Sequence, residues 1–142
     1  MAKLSLFFEG CRKPSFLSGK RVEMWLESVI SGYSFQKGAI SFIFCMDDYL
    51  LEINRKYLNH DYYTDVITFD YTEDSVLSGD IFISLDTVQS NSSEYQTTYE
   101  EELYRVMVHG ILHLMGFKDK THEEEVQMRS REDRALEWLK TH

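Results

Sequence analysis

His109 and His113 stand four residues apart in an apolar run that ends at Gly116 and is followed by Asp119. This stretch constrains the chain more than any other. On an α-helix, positions i and i+4 lie one above the other on the same face. Two imidazoles placed that way can converge on one cation, while Leu103, Val106, Met107, Leu114 and Met115 supply a helical core face. Gly116 is the residue type that most easily takes the left-handed conformation ending a helix. The chain can then turn back and carry Asp119 towards the two rings. Two ring nitrogens and one carboxylate oxygen, with a fourth position open, match the donor set of a catalytic zinc site better than that of a closed structural one.

A histidine pair at this spacing is, taken alone, more often two partly buried rings bonded to backbone. The glycine stop and the third ligand type tip the reading towards metal. Gly110 carries equal information. Zinc peptidases of the HExxH type place their general base directly after the first histidine. A glycine there removes that base and counts against a peptidase.

The 142 residues fit one domain spanning 1–142, with 43% hydrophobic and 27% charged residues as in an ordinary globule. No apolar run has membrane-spanning length, and the N-terminal apolar stretch is short and interrupted by Glu9, so a cytoplasmic protein without a membrane partner is expected. Cys11 and Cys45 are far apart and lack metal-pair spacing, which reads as two free thiols, Cys45 buried in an apolar strand. The net charge of −9 opposes a broad nucleic-acid surface but leaves room for a local one around Lys118 and Lys120.

Periodicity gives the element order. Leu4 to Phe8 reads as a strand, and Val22, Trp25, Leu26, Val29 and Ile30 form one helical face closed by Gly32. Ile40 to Met46 reads as a central strand apolar on both faces. Asp47 or Asp48 is placed to cap a helix bearing Leu50, Leu51, Asn54, Tyr57 and Leu58. Val66–Tyr71 and Gly79–Ser84, joined through a turn from Thr72 to Ser78, read as a hairpin. Asp86 is expected to cap a helix towards Tyr95. Thr98 with Glu101 and Thr121 with Glu124 have capping-box spacing before the last two helices, the second bearing Val126, Met128, Leu136 and Leu139. The order β-α-β-α-β-β-α-α-α predicts an α+β domain with a small mixed sheet of about four strands.

Three motifs together resemble the YbeY family of bacterial rRNA maturation factors. The family signature HGxLHLxGxDH is matched by His109, Gly110, Leu112, His113, Leu114 and Gly116. Its LNxxYRxxDxPTDVLSF motif is matched by Asn54, Tyr57, Asp61, Thr64, Asp65, Val66 and Phe69, and its GDIxIS strand by Gly79–Ser84. There are three departures. Asp119 stands where the family has its third metal-ligand histidine, with Lys118 before it. Leu58 replaces an arginine, and Tyr63 a proline. His122 competes as third ligand but belongs to the first turn of the next helix.

The resemblance implies a single-strand-specific, metal-dependent endoribonuclease in small-subunit rRNA maturation and ribosome quality control, with metal-activated water as nucleophile. It implies one Zn2+ per chain on His109, His113 and Asp119, with Thr64, Asp65 and Lys118 as substrate or supporting residues, and no organic cofactor. Its expected partners are rRNA and the small ribosomal subunit, with a ribosome-assembly GTPase or a ribosomal protein. The alternatives are a non-catalytic, metal-stabilised ribosome-assembly factor and, further off, a zinc hydrolase or peptidase.

Overall fold

The computed structural model describes residues 3–59 and 64–142. Four strands and five helices follow one another as β1 (Leu4–Phe8), α1 (Gly19–Gly32), β2 (Gln36–Cys45), α2 (Asp47–Leu58), β3 (Val66–Asp70), β4 (Val76–Ser84), α3 (Leu85–Glu94), α4 (Tyr99–Leu114) and α5 (His122–Thr141). The strands form one mixed sheet in the order β1-β2-β4-β3. β1 and β4 both run parallel to β2, and β3 pairs antiparallel with β4. This is the expected α+β fold. Among the described residues no helix is long and apolar enough to cross a membrane.

Period-2 patterning sorts the sheet into two faces. Ile40, Phe42 and Phe44 of β2, with Ile81 and Ile83 of β4, point into the main core with α1, α3, α4 and α5. Cys45, Ile67 and Phe82 point the other way and meet Leu50 of α2. β2 is therefore apolar on both sides, as its composition predicts. The Trp25 indole nitrogen donates to the Ala135 carbonyl at 2.9 Å, tying α1 to α5. Cys11 and Cys45 are free thiols, and Cys45 is fully buried.

Several local expectations are corrected. β2 begins at Gln36 and β4 at Val76, so each strand extends further upstream than its apolar run. Neither Asp47 nor Asp48 caps α2. Its N-cap is Met46, without a side-chain bond, and the Asp47 amide donates to Asp86 Oδ1 at 3.0 Å. Asp86 thus serves α2 from across the fold, while Ser84 caps α3. Thr98 caps α4 as expected, but the box is half-made because the Glu101 carboxylate takes the Thr97 hydroxyl instead. The Thr121–Glu124 box is complete. Of the apolar residues these helices bear, Tyr57, Leu58 and Val126 are exposed. Tyr63, the family's proline position, and Asp61 lie outside the described residues.

Two glycines set how closely α4 lies on the sheet. A Cβ on Gly110 would stand 2.8 Å from Ile81 Cγ2, and one on Gly79 would stand 2.5 Å from the Phe69 carbonyl oxygen and 2.8 Å from Leu114 Cδ2. Gly110→Ala gains about 1 kcal/mol of helix propensity but overpacks a closed core, at a cost of about 1–3 kcal/mol. A net loss is expected, read as a lower urea midpoint. Gly79→Ala meets backbone, which cannot yield, and should lose more. An unchanged or raised midpoint for both would disprove the close approach.

Burial pushes the Cys45 thiol up to about 12. Nucleophilic reactivity belongs to the thiolate. Cys45 should therefore resist Ellman's reagent at pH 8 in the folded protein and react only after denaturation, a difference that mass mapping of the labelled cysteine reads directly.

Candidate metal centre

α4 carries the histidines and α5 supports them. The stripe of α4 beside Leu103, Met107, Gly110 and Leu114, about 100° round the helix, carries Glu102, Val106, His109 and His113 at helical intervals. The helix ends in a Schellman turn. The Gly116 amide donates to the His113 carbonyl at 2.9 Å, and the Phe117 amide to the Leu112 carbonyl at 3.1 Å. Gly116 has φ +98°, a conformation that L side chains rarely adopt. Phe117 is held between Tyr33, edge-on at 5.4 Å, and the Arg131 guanidinium, 4.0 Å from its ring centre. The chain thereby reverses and lays Asp119 over the histidine pair.

The three side chains meet at one point. His109 Nε2 and His113 Nε2 are 3.0 Å apart, and Asp119 Oδ2 lies 3.2 Å from the first and 3.3 Å from the second. Ligand atoms around a tetrahedral ion with bonds of about 2.0–2.1 Å stand roughly 3.3–3.4 Å apart. The spacing fits such an ion with little movement. Among the described residues these are the one group of three that could hold a metal.

A second carboxylate sets the state of His109. Its Nδ1 lies 2.6 Å from Glu132 Oε2. An ionised carboxylate only accepts, so Nδ1 carries the hydrogen and the lone pair of the neutral ring sits on Nε2, facing His113 and Asp119. Glu132 is 5% exposed and is held in turn by Arg105 at 3.1 Å, which also reaches Asp133 at 2.8 Å. Burial pulls the His109 pKa down, but the Glu132 carboxylate, with Asp119 and Asp65 nearby, brings it above the usual value. The same partners that favour a proton on this ring favour a cation beside it.

The site opens onto a cleft of about 740 Å³ whose walls include His109, Asp119, His122, Val126 and Arg129. His122 sits exposed on the rim, and its ring is not among the converging atoms. Lys118 is exposed beside Asp119, and Leu58 is exposed at the end of α2. Thr64 precedes β3 and is half-buried. Asp65 follows it, accepts from Asn91 Nδ2 at 3.4 Å and lies within electrostatic reach of His109. Burial raises the Asp65 pKa.

Sequence reading missed Glu132 and Arg105. A signal for Glu132 existed. It falls on the buried stripe of α5, four residues after Met128 and four before Leu136, where a lone acid should prompt a search for a cationic or imidazole partner.

Metal content separates the candidates. Asp119→Ala should lower zinc affinity and His122→Ala should not, whereas Asp119→His should keep it, all by equilibrium dialysis with elemental analysis. Glu132→Ala should weaken zinc binding about 10- to 100-fold, the usual loss when the partner of a ligating histidine is removed. Full affinity in Asp119→Ala combined with loss in His122→Ala would reverse the assignment.

Comparison with known proteins gives the family. A family model described as endoribonuclease YbeY matches residues 13–140. A Porphyromonas gingivalis protein named Endoribonuclease YbeY is 47% identical over 140 residues, covering 99% of this chain and 92% of the relative. Its namesake from Bacteroides fragilis is 50% identical and covers 90% and 91%. The solution structure of TM1509 from Thermotoga maritima is similar with a TM-score of 0.69 and 27% identity, over 98% of this chain and 93% of that one. The chain belongs to the endoribonuclease YbeY family.

Proposed function

We propose that this protein is a metal-dependent endoribonuclease that cuts single-stranded rRNA during maturation and quality control of the small ribosomal subunit. The observation that carries the reading is the convergence of His109, His113 and Asp119 at tetrahedral spacing on the wall of an open cleft. One zinc-like divalent ion fits there, and when bound it supplies Lewis acidity towards phosphate oxygen and acidifies water. The chain's own residues do the rest. Glu132 and Arg105 hold the His109 ring in its binding tautomer. Asp119 gives the centre one negative charge where three histidines would give none. Arg129 on the cleft wall and Lys118, exposed next to Asp119, are cations available for phosphate, and Thr64 and Asp65 border the entry to β3, where they can position substrate.

Single strands suit the cleft better than A-form duplex, whose deep, narrow major groove side chains cannot read. The net charge of −9 opposes RNA approach, so activity should be weak and should fall further with salt. The partners this reading calls for are rRNA and the small subunit in the cytoplasm, with a ribosomal protein or an assembly GTPase alongside. A second reading, a metal-stabilised assembly factor that does not cut, draws support from Leu58 in place of the family's arginine and from the same net charge. A peptidase is disfavoured by packing: position 110 faces Ile81 inside the core, so a glutamate there could not reach the cleft.

The test uses wild type and His113→Ala purified identically and given the same single-stranded rRNA fragment. Zinc-loaded wild type should cut, chelator should stop it, and His113→Ala should retain under about a hundredth of the rate, as expected when transition-state stabilisation of a few kcal/mol is lost. Equal cutting by both proteins would expose a contaminating nuclease. No cutting by wild type that still binds the subunit would establish the assembly-factor reading.

A further inference from the structure

Behind His109 lies a smaller cavity of about 200 Å³, between the start of β3, α3, α4 and α5. Asp65, Asn91, Tyr95, Glu102 and Arg129 line it together with His109. His109, Tyr95 and Arg129 also line the larger cleft, so the cavity adjoins the centre where substrate would lie. Its volume is below the ~300 Å³ at which pockets for drug-sized ligands begin, and suits one heterocycle.

Glu102 is the unexpected member. It is 5% exposed, yet among the described residues its carboxylate has no hydrogen bond or ion pair. Arg105 and Arg129 are near enough to favour its charge. Since no fully buried side-chain oxygen lacks a hydrogen-bond partner among the described residues, its oxygens reach the cavity and are open to a donor there. Asp65 adds a second carboxylate, which accepts from the Asn91 amide at a long 3.4 Å and from backbone amides at the start of β3. A third cation ligand is missing, since these acids do not converge with any third donor as His109, His113 and Asp119 do. Arg129 on the wall also opposes a bare cation. Arg105 and Glu132 also line the cavity but are taken up with each other, Asp133 and His109. What the walls fit is therefore a planar group rich in N–H donors: the carboxylates of Asp65 and Glu102 for its edge, and the Arg129 guanidinium and Tyr95 ring for its face.

We propose that this cavity is a nucleobase subsite that takes one unstacked base of the substrate strand, guanine by preference. Guanine presents a ring N–H and an adjacent amino group on one edge, a pair that a single carboxylate accepts together. Adenine and cytosine each offer an amino group beside a ring acceptor. Uracil offers one N–H between two carbonyls, which the acidic wall repels. The subsite rests on the proposed action on single-stranded RNA, and it would place a chosen base beside the phosphate to be cut.

Guanosine and uridine, titrated separately into the zinc-loaded protein, decide the matter by amide NMR shifts. Guanosine should saturably shift Asn91, Glu102 and Val106 while uridine does not. Glu102→Gln and Asp65→Asn should each weaken guanosine about 5- to 150-fold, the range of one bidentate base contact, with the metal content unchanged. Equal response to both nucleosides, response to neither, or shifts at these amides with magnesium chloride alone would overturn the proposal. A uridine oligomer carrying one guanosine then tests consequence, with cutting concentrated at the guanosine and spread evenly by Glu102→Gln. Even cutting by wild type also overturns the subsite while leaving the nuclease reading intact. Guanosine bound without any cutting upholds the subsite and removes the nuclease reading.

Discussion

The close approach of α4 to β4 is the contact on which the rest of the structure depends. Gly110 lies where any side chain would collide with Ile81, and Gly79 lies beneath Leu114. With those two positions bare, the helix sinks onto the sheet, and its rotation about its own axis is fixed by what it buries. Once Leu103, Met107, Ile111 and Leu114 are inside, the direction of His109 and His113 on the stripe beside them is fixed as well. Core packing, at tens of cal/mol per Å² over a whole helix face, outweighs the cost of orienting two rings. The chemistry of the site inherits its direction from the core.

What packing aims, a chain of charges then fixes. Asp133, Arg105, Glu132 and His109 run in one line, with contacts of 2.8, 3.1 and 2.6 Å. A buried ion pair adds little to stability once desolvation is counted, and breaking one member is expensive because it strands the other. Its role here is better described as positional: it holds one imidazole nitrogen protonated and leaves the other with a lone pair towards Asp119. The capping box that starts α5 and the Schellman turn that ends α4 bring both sides of this line into place.

The departures from the family pattern fall on opposite sides of this arrangement. Asp119 sits where the family has histidine, and its carboxylate reaches both rings at 3.2 and 3.3 Å, so the geometry absorbs the change and the charge differs. Leu58 sits where the family has arginine, exposed at the end of α2, whose last turn carries Arg55 and Lys56. One substitution falls within the candidate metal centre, and the other at the end of α2, away from it.

Much of this was legible in the chain. The nine elements follow from period and punctuation, because amphipathic stripes and turn residues are local signals. The trio at His109, His113 and Asp119 was also legible, since two members share a helix face and a glycine turn supplies the third within ten residues. Helix caps were less so: Asp86 serves α2 rather than its own helix because the backbone amide it satisfies is brought to it only by folding. Glu132, Arg105 and the buried Glu102 carry no motif, and Val126 keeps an apolar sequence signal while lining a cleft. Their roles depend on how α5 lies against α4, a relation set by long-range packing among Trp25, Ala135 and Leu136 rather than by spacing along the chain. The sequence by itself determined which atoms could meet a metal, and only the tertiary structure decided which groups hold those atoms in place and what lies behind them.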